Sequence, residues 1–178
     1  MGMDIYGKEP TNETGEHFRR NVWGWRPLWE CVEALVPDVA TKVESPHTND
    51  GDGLGAIDAA ALGYALHNAV EKGKALQWIE EFRAAQADLP LEECQFCDST
   101  GIRTDEVGMN AGQHDKKLDD EVAIIVGREF GWCNGCNGLG KQESIWTSYG
   151  VEEGCVTEFA DFLIHTGGFE ICSQNGKT

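Results

Sequence analysis

The sequence predicts an α+β fold, with a helical hairpin and a C-terminal helix packed around a small β module built on four cysteines. Three observations carry that expectation. An alanine-rich run from Leu54 to Glu71 is followed at once by a second helical pattern, and Val156, Phe159, Phe162 and Leu163 recur at helical spacing near the C-terminus. Two C-x-x-C pairs lie between these blocks. At 178 residues, 40% hydrophobic and 25% charged, the chain suits one compact domain or a domain with a small appended module.

The opening stretch, Met1 to Gly24, is rich in Gly, Asn and Glu and contains the turn cluster Thr11-Asn12-Glu13-Thr14-Gly15. It reads as irregular chain leading into a short helix near Glu16 to Val22. Pro27 suits the first turn of the next helix, which ends before Pro37, with Leu28, Val32 and Leu35 as its apolar stripe. Trp23, Trp25 and Trp29 read as core aromatics. In the alanine-rich helix, Leu54, Ile57, Ala61, Tyr64 and Ala65 share one face and are expected to be its buried side, with Lys72-Gly73 as the stop. A second helix runs from Lys74 to Ala87, with Leu76, Ile79 and Phe82 on one face and Leu89-Pro90 beyond it.

The run Thr48 to Gly53 resembles a calcium loop only in part. Asp50, Asp52 and Gly53 match ligand positions three, five and six, but Ala59 stands where a bidentate Glu is required. The expected role is a turn that caps the following helix through Asp50 or Asp52. Beyond Cys94 the texture becomes short and Gly-punctuated. Ile102 to Thr104, Val122 to Val126 and Ile145 to Tyr149 read as strands, and Asp105 to Asp120 as a polar loop. Gly167-Gly168 closes the last helix, Phe169 to Cys172 is extended, and the final six residues read as disordered. The expected organisation is a helical part over 1–93, a knuckle module over 94–150 with an inserted loop at 105–120, and a C-terminal helix and strand over 151–178 packed on the first part.

The chemistry lies in Cys94-Gln95-Phe96-Cys97-Asp98-Ser99-Thr100-Gly101 and Cys133-Asn134-Gly135-Cys136-Asn137-Gly138-Leu139-Gly140. Each is a knuckle whose two thiolates converge on one side of a tight turn, while the following glycines let backbone amides face the sulfurs. Cys94, Cys97, Cys133 and Cys136 thus form the tetrahedral sulfur set that structural Zn²⁺ prefers, in preference to an iron–sulfur cluster or a dithiol redox site. Cys31, Cys155 and Cys172 lie near apolar residues without knuckle partners and read as buried free thiols.

Fourteen basic against 31 acidic residues give a net charge of −17. The part before Cys94 carries 8 basic and 17 acidic residues and the remainder 6 and 14, so the halves hold −9 and −8 and the acidity is global. That charge disfavours nucleic acid as a direct ligand, since phosphate binding needs clustered Lys and Arg. Arg19-Arg20 and Lys116-Lys117 are the two pairs that could form a local patch. No apolar run reaches the length of a membrane span, and no basic-then-apolar leader opens the chain, so a soluble cytoplasmic protein with no membrane role is expected.

The second knuckle follows C-x-x-C-x-G-x-G and resembles the cysteine-rich zinc domain of DnaJ-type cochaperones. The first has Ser99 where that family has Gly. The resemblance covers about 47 residues, with 35 between Cys97 and Cys133, and includes two of that domain's four motifs and no His-Pro-Asp tripeptide. It implies a zinc-stabilised pair of hairpins, not chaperone activity. A second resemblance rests on Met1-Gly2-Met3-Asp4-Ile5-Tyr6-Gly7-Lys8, Asn21-Val22-Trp23-Gly24-Trp25-Arg26-Pro27-Leu28-Trp29 and Asn49-Asp50-Gly51-Asp52-Gly53-Leu54. With Glu158-Phe159-Ala160-Asp161-Phe162-Leu163 and Gly167-Gly168-Phe169, these are similar to small phage and prophage proteins of unassigned function that carry two such knuckles. That likeness implies phage origin and a bacterial host cytoplasm, and supplies no reaction.

Four cysteines close a zinc site, whereas a catalytic one keeps a position open. His17, His47, His67, His114 and His165 are scattered, with no H-E-x-x-H, G-x-S-x-G, P-loop or dinucleotide fingerprint to join them. The expected function is therefore non-enzymatic binding of a protein partner, in its sharper form inhibition of a host defence system by an acidic surface. The alternative is a zinc-supported nucleic-acid accessory factor.

Overall fold

In a computed structural model, which describes residues 2–172, the chain is mixed α and β. It forms two compact units, Met1–Ala87 with Ser148–Thr178, and Asp88–Thr147. The expected disorder of the last six residues falls outside the described residues.

The first unit begins with strands, not with irregular chain and a helix. β1 (Gly2–Gly7) and β2 (His17–Asn21) pair antiparallel, and with β3 (Asp50–Gly55) and β6 (Gly168–Cys172) they build a sheet in the order β2-β1-β6-β3. Met3, Ile5 and Phe18 are its buried contributions from the N-terminus. Three alternating apolar residues spread over two strands are too brief a pattern to register beside the surrounding Gly, Asn and Glu.

Asn21 ends β2 and caps α1 (Val22–Leu35), its Oδ1 accepting from the Gly24 amide at 2.9 Å. The helix therefore starts five residues before Pro27, which lies inside it. Proline has no N–H to give to the carbonyl four residues earlier. That carbonyl, on Trp23, instead accepts from the Gly150 amide at 3.1 Å. The helix defect becomes a tether for the segment leading into α7 (Glu153–His165). α2 (Pro37–Ala40) is a single turn.

The Asp-Gly run is a strand, β3, that pairs with β6 through Leu54 opposite Phe169, with a bulge between Asp50 and Asp52. It does not cap the next helix, since the N-cap of α3 (Ala56–Glu71) is Gly55, with no side-chain bond. The α3–α4 hairpin, with α4 at Lys74–Ala87, lies where the sequence places it, but α3 turns the other way. Ile57 and Tyr64 are 86% and 64% exposed, whereas Ala59, Leu62, Gly63, Leu66 and Ala69 are buried. An alanine-rich helix is apolar all round, so periodicity alone does not choose its face. Gly63 chooses it: a Cβ there would sit 2.8 Å from the Ala160 carbonyl oxygen, so this face alone admits α7 so closely.

Trp25, Trp29, Phe159, Phe162 and Phe169 are fully buried at the centre, with Trp25 edge-on to Phe159 at 5.6 Å and 87°. Trp25 Nε1 donates to the Pro46 carbonyl at 2.7 Å. Trp23 is not core but half-exposed against Tyr149. Among the described residues, no helix is long and apolar enough to cross a membrane.

In the second unit the only strands among the described residues are β4 (Glu92–Glu93) and β5 (Lys141–Gln142), which pair directly outside the two knuckles. The stretch expected to be a polar loop contains α5 (Glu106–Asn110) and a 3₁₀ turn at Gln113–Asp115. Val122–Val126 is not a strand but most of α6 (Asp120–Val126), because Asp120 and Glu121 enter its first turn and Gly127 closes it at φ 70°. Ile145–Ser148 is a 3₁₀ turn, and Ile102–Thr104 has no regular structure.

Leu66→Ala is expected to destabilise the first unit by about 2–5 kcal/mol, and Ile57→Ala by less than about 0.5 kcal/mol. Urea unfolding followed by tryptophan fluorescence distinguishes this burial from the one the sequence stripe suggests.

Candidate metal centre

All four knuckle cysteines are buried, and their sulfurs lie within 4.8 Å of one another. Cys94 and Cys133 Sγ are 3.8 Å apart, Cys97 and Cys136 Sγ 3.7 Å. A tetrahedron with metal–sulfur bonds of about 2.3 Å has edges of about 3.8 Å. The donor set therefore fits one ion.

The knuckles are near-copies. The Gly101 amide donates to Cys97 Sγ at 3.2 Å and the Gly140 amide to Cys136 Sγ at 3.2 Å, the same offset of four residues in each. The Gly135 amide adds a bond to Cys133 Sγ at 3.4 Å. Such amides stabilise thiolate charge. Each turn passes through left-handed backbone, at Asp98 and Ser99 in the first and at Asn137 and Gly138 in the second. Ser99 holds φ 63° without the freedom of glycine.

The two turns also interlock. A Cβ on Gly101 would lie 2.2 Å from the Gly138 carbonyl oxygen, and one on Gly140 would lie 2.2 Å from the Ser99 carbonyl oxygen. Each knuckle thus presses its final glycine on the backbone of the other. The Cys94 amide donates to the Gly140 carbonyl at 3.0 Å, and the Arg103 amide to the Trp132 carbonyl at 3.0 Å, tying the ends together.

Sequence reasoning missed the side chains that hold this frame. Arg103 is buried, forks onto Asp105 at 2.8 and 2.9 Å, reaches Asn134 Oδ1 at 2.7 Å and lies 5.0 Å over the Phe96 ring. That guanidinium holds the Asp105 carboxyl below its ordinary range. Arg128 Nη2 donates to the Gly138 carbonyl at 2.9 Å, and buried Gln113 accepts from the Asn134 amide at 3.3 Å. The signal in the sequence is slight: an Arg-x-Asp two residues beyond Gly101, in a chain poor in basic residues.

Burial pushes the metal-free Cys97 thiol up to about 12 and raises Cys133 as well. Burial also opposes ionisation of Cys94, yet the Phe96 amide and the neighbouring sulfurs leave that thiol below its ordinary value. Metal capture must therefore displace protons, and it is favoured as pH rises.

Cys31, Cys155 and Cys172 lie outside the cluster. Cys31 is buried, and burial raises its thiol to about 12. Cys155 and Cys172 are only partly buried, which corrects the expectation for both. His114 faces Asp115 at 2.8 Å and His67 faces Asp161 at 2.7 Å, and among the described residues no histidine joins the sulfurs.

The chain matches no family model, no curated protein and no solved structure. Neither the phage-family nor the DnaJ-type likeness gains support from these comparisons. What stands is the paired knuckles as a possible metal site.

Gly140→Ala is expected to abolish metal retention, because the new methyl meets backbone and not a movable side chain. Ser99→Gly is expected to raise the stability of the metal-loaded protein by about 1 kcal/mol by relieving the left-handed conformation. Elemental analysis checks the first outcome and thermal unfolding the second. Calorimetry in buffers of different ionisation enthalpy should show proton release on metal binding, with apparent affinity falling as pH drops from 8 to 6.

Proposed function

We propose that the chain is a non-enzymatic, zinc-stabilised protein that works by binding a protein partner through acidic surface. The closed donor set carries this reading. Four buried sulfurs occupy every corner of a tetrahedron, so a single bound ion would have no position left for water or substrate. A polynuclear iron–sulfur cluster would need these sulfurs further apart than their 3.7 and 3.8 Å edges. Zinc suits a closed thiolate site that performs no electron transfer.

The basic pairs that would favour nucleic acid are already engaged. Arg19 faces Asp4 at 3.5 Å, Arg20 pairs with Glu158, Lys116 lies 3.3 Å over the Trp132 ring, and Lys117 faces Asp120 at 4.0 Å. Three of these cations face a carboxylate and Lys116 keeps its charge over an aromatic ring, so a phosphate backbone would meet few unopposed cations within a charge of −17. A protein carrying a basic cleft meets the complementary field. In the sharper version, which draws on the phage resemblance alone, that partner is a host defence protein of the CRISPR or restriction type whose nucleic-acid groove the acidic surface occupies.

Protein purified without chelator should contain one zinc per chain, lost in Cys94→Ser/Cys133→Ser. It should not shift duplex DNA at physiological salt, and its association with a partner should slow as salt rises. Stoichiometric iron instead of zinc would overturn the metal assignment, and tight duplex binding would replace the protein-partner reading with the nucleic-acid one.

A further inference from the structure

We propose that the segment 117–130, which carries α6, is the surface that receives the partner, and that it receives a basic amphipathic segment. This inference rests on the protein-binding reading above and deepens it.

The two ends of the segment are bonded to each other. Lys117 bridges to Phe130, and the Leu118 amide donates to the Glu129 carbonyl at 2.9 Å. Leu118 is buried, and its Cδ2 lies 2.6 Å from the position a Cβ on Gly138 would take, so the base of the segment leans on the second knuckle. What this base holds up is α6, a helix with no buried residue. Its ends are formed: the Ala123 amide donates to the Asp119 carbonyl at 2.8 Å, and Gly127 closes the last turn. A defined helix thus presents Ile124 at 82% and Ile125 at 72% exposure. Beside Ile124 lies an open cleft of about 440 Å³, lined also by Ala123, Gly127, Lys117, Arg128 and the acidic Asp120 and Glu129.

Charge selects the occupant. Asp119, Asp120 and Glu121 stand at the start of α6 and Glu129 follows its end. Of the nearby cations, Lys117 faces Asp120, and Arg128 donates inward to the Gly138 carbonyl. A second copy of the chain, docked through the same face, would bring two sets of these carboxylates together, since a two-fold interface apposes like with like. Anionic lipid and nucleic acid meet the same repulsion. A helix or strand with apolar residues on one side and Lys or Arg on the other gains on both counts, covering the isoleucines, filling the cleft and pairing the acidic rim.

The probe is a 14-residue amphipathic Leu/Lys peptide, with a peptide of the same composition in scrambled order as control. Both are titrated into zinc-loaded ¹⁵N-labelled protein. Shift changes should concentrate in 117–130, the amphipathic peptide should bind at least tenfold more tightly than the scrambled one, and affinity should fall several-fold from 50 to 500 mM salt. Ile124→Ser/Ile125→Ser, with zinc content unchanged as the check on folding, should weaken binding at least tenfold. Equal binding of the two peptides, shifts centred elsewhere, or an unchanged affinity in the double variant would overturn this docking surface while leaving the protein-binding reading in place. Absence of peptide binding, or concentration-dependent self-association through 117–130, would also overturn it.

Discussion

The second unit depends on one contact: the glycine that ends each knuckle lies where the backbone of the other knuckle leaves room for no side chain. With Gly101 against the Gly138 carbonyl and Gly140 against the Ser99 carbonyl, the two turns have a single way to meet. That meeting sets the sulfur edges at 3.7 and 3.8 Å and aims the amides of Gly101 and Gly140 at Cys97 and Cys136. It also fixes where the intervening chain must leave and return. The Arg103–Trp132 bond, the Trp132 amide on the Gln113 carbonyl and the Gly131 amide on the Lys116 carbonyl are backbone links that exist only because the knuckles hold their ends side by side. Apolar burial contributes little to this stretch, since Leu118 is its one buried aliphatic side chain among the described residues, and the polar contacts of Arg103, Gln113 and Arg128 do the rest.

The first unit is organised on the opposite principle. It packs five large aromatics in contact with the sheet and with α1 and α7, and it resolves its backbone irregularities internally. The carbonyl that Pro27 leaves without a helix partner is the one that receives Gly150, so a break in the helix ladder is satisfied across 127 positions of sequence. The sheet is likewise closed by distant parts of the chain, with β6 lying between β1 and β3. A continuous apolar core runs through this unit, and none of its cysteines takes part in the sulfur cluster.

This division determines what could be read from the residues. Cys94, Cys97, Cys133 and Cys136 were legible because metal-ligand spacing is local and chemically specific, and the last helix was legible because Val156, Phe159, Phe162 and Leu163 all face the core. The strands were not. Met3, Ile5 and Phe18 are sparse, and β3 consists largely of Asp and Gly, which acquire strand structure only from pairing with β6. α3 was located correctly and turned wrongly, since alanines leave the choice of face to Gly63 and its neighbour α7. In the second unit β-branched residues at 122–126 suggested a strand, but acidic residues at the start and a left-handed glycine at the end prevailed. Arg103 and Arg128 escaped notice because their value lies in carbonyls and carboxylates that come near only after the knuckles join.

Charge and metal are linked by the same physics. Residues 88–147 contain twelve acidic and five basic side chains, a net −7 on sixty residues with almost no aliphatic core. Self-repulsion of that size opposes a compact state, and a small unit without a core has little burial to set against it. Binding of a structural zinc ion, at about 10–16 kcal/mol in small metallo-domains, is large enough to do so. A unit stabilised in this way would not need the exposed Ile124 and Ile125, or the carboxylates beside them, for its core. An ion held by the four sulfurs would offset this repulsion at the point where the two knuckles meet, while the carboxylates of α6 stay at the surface.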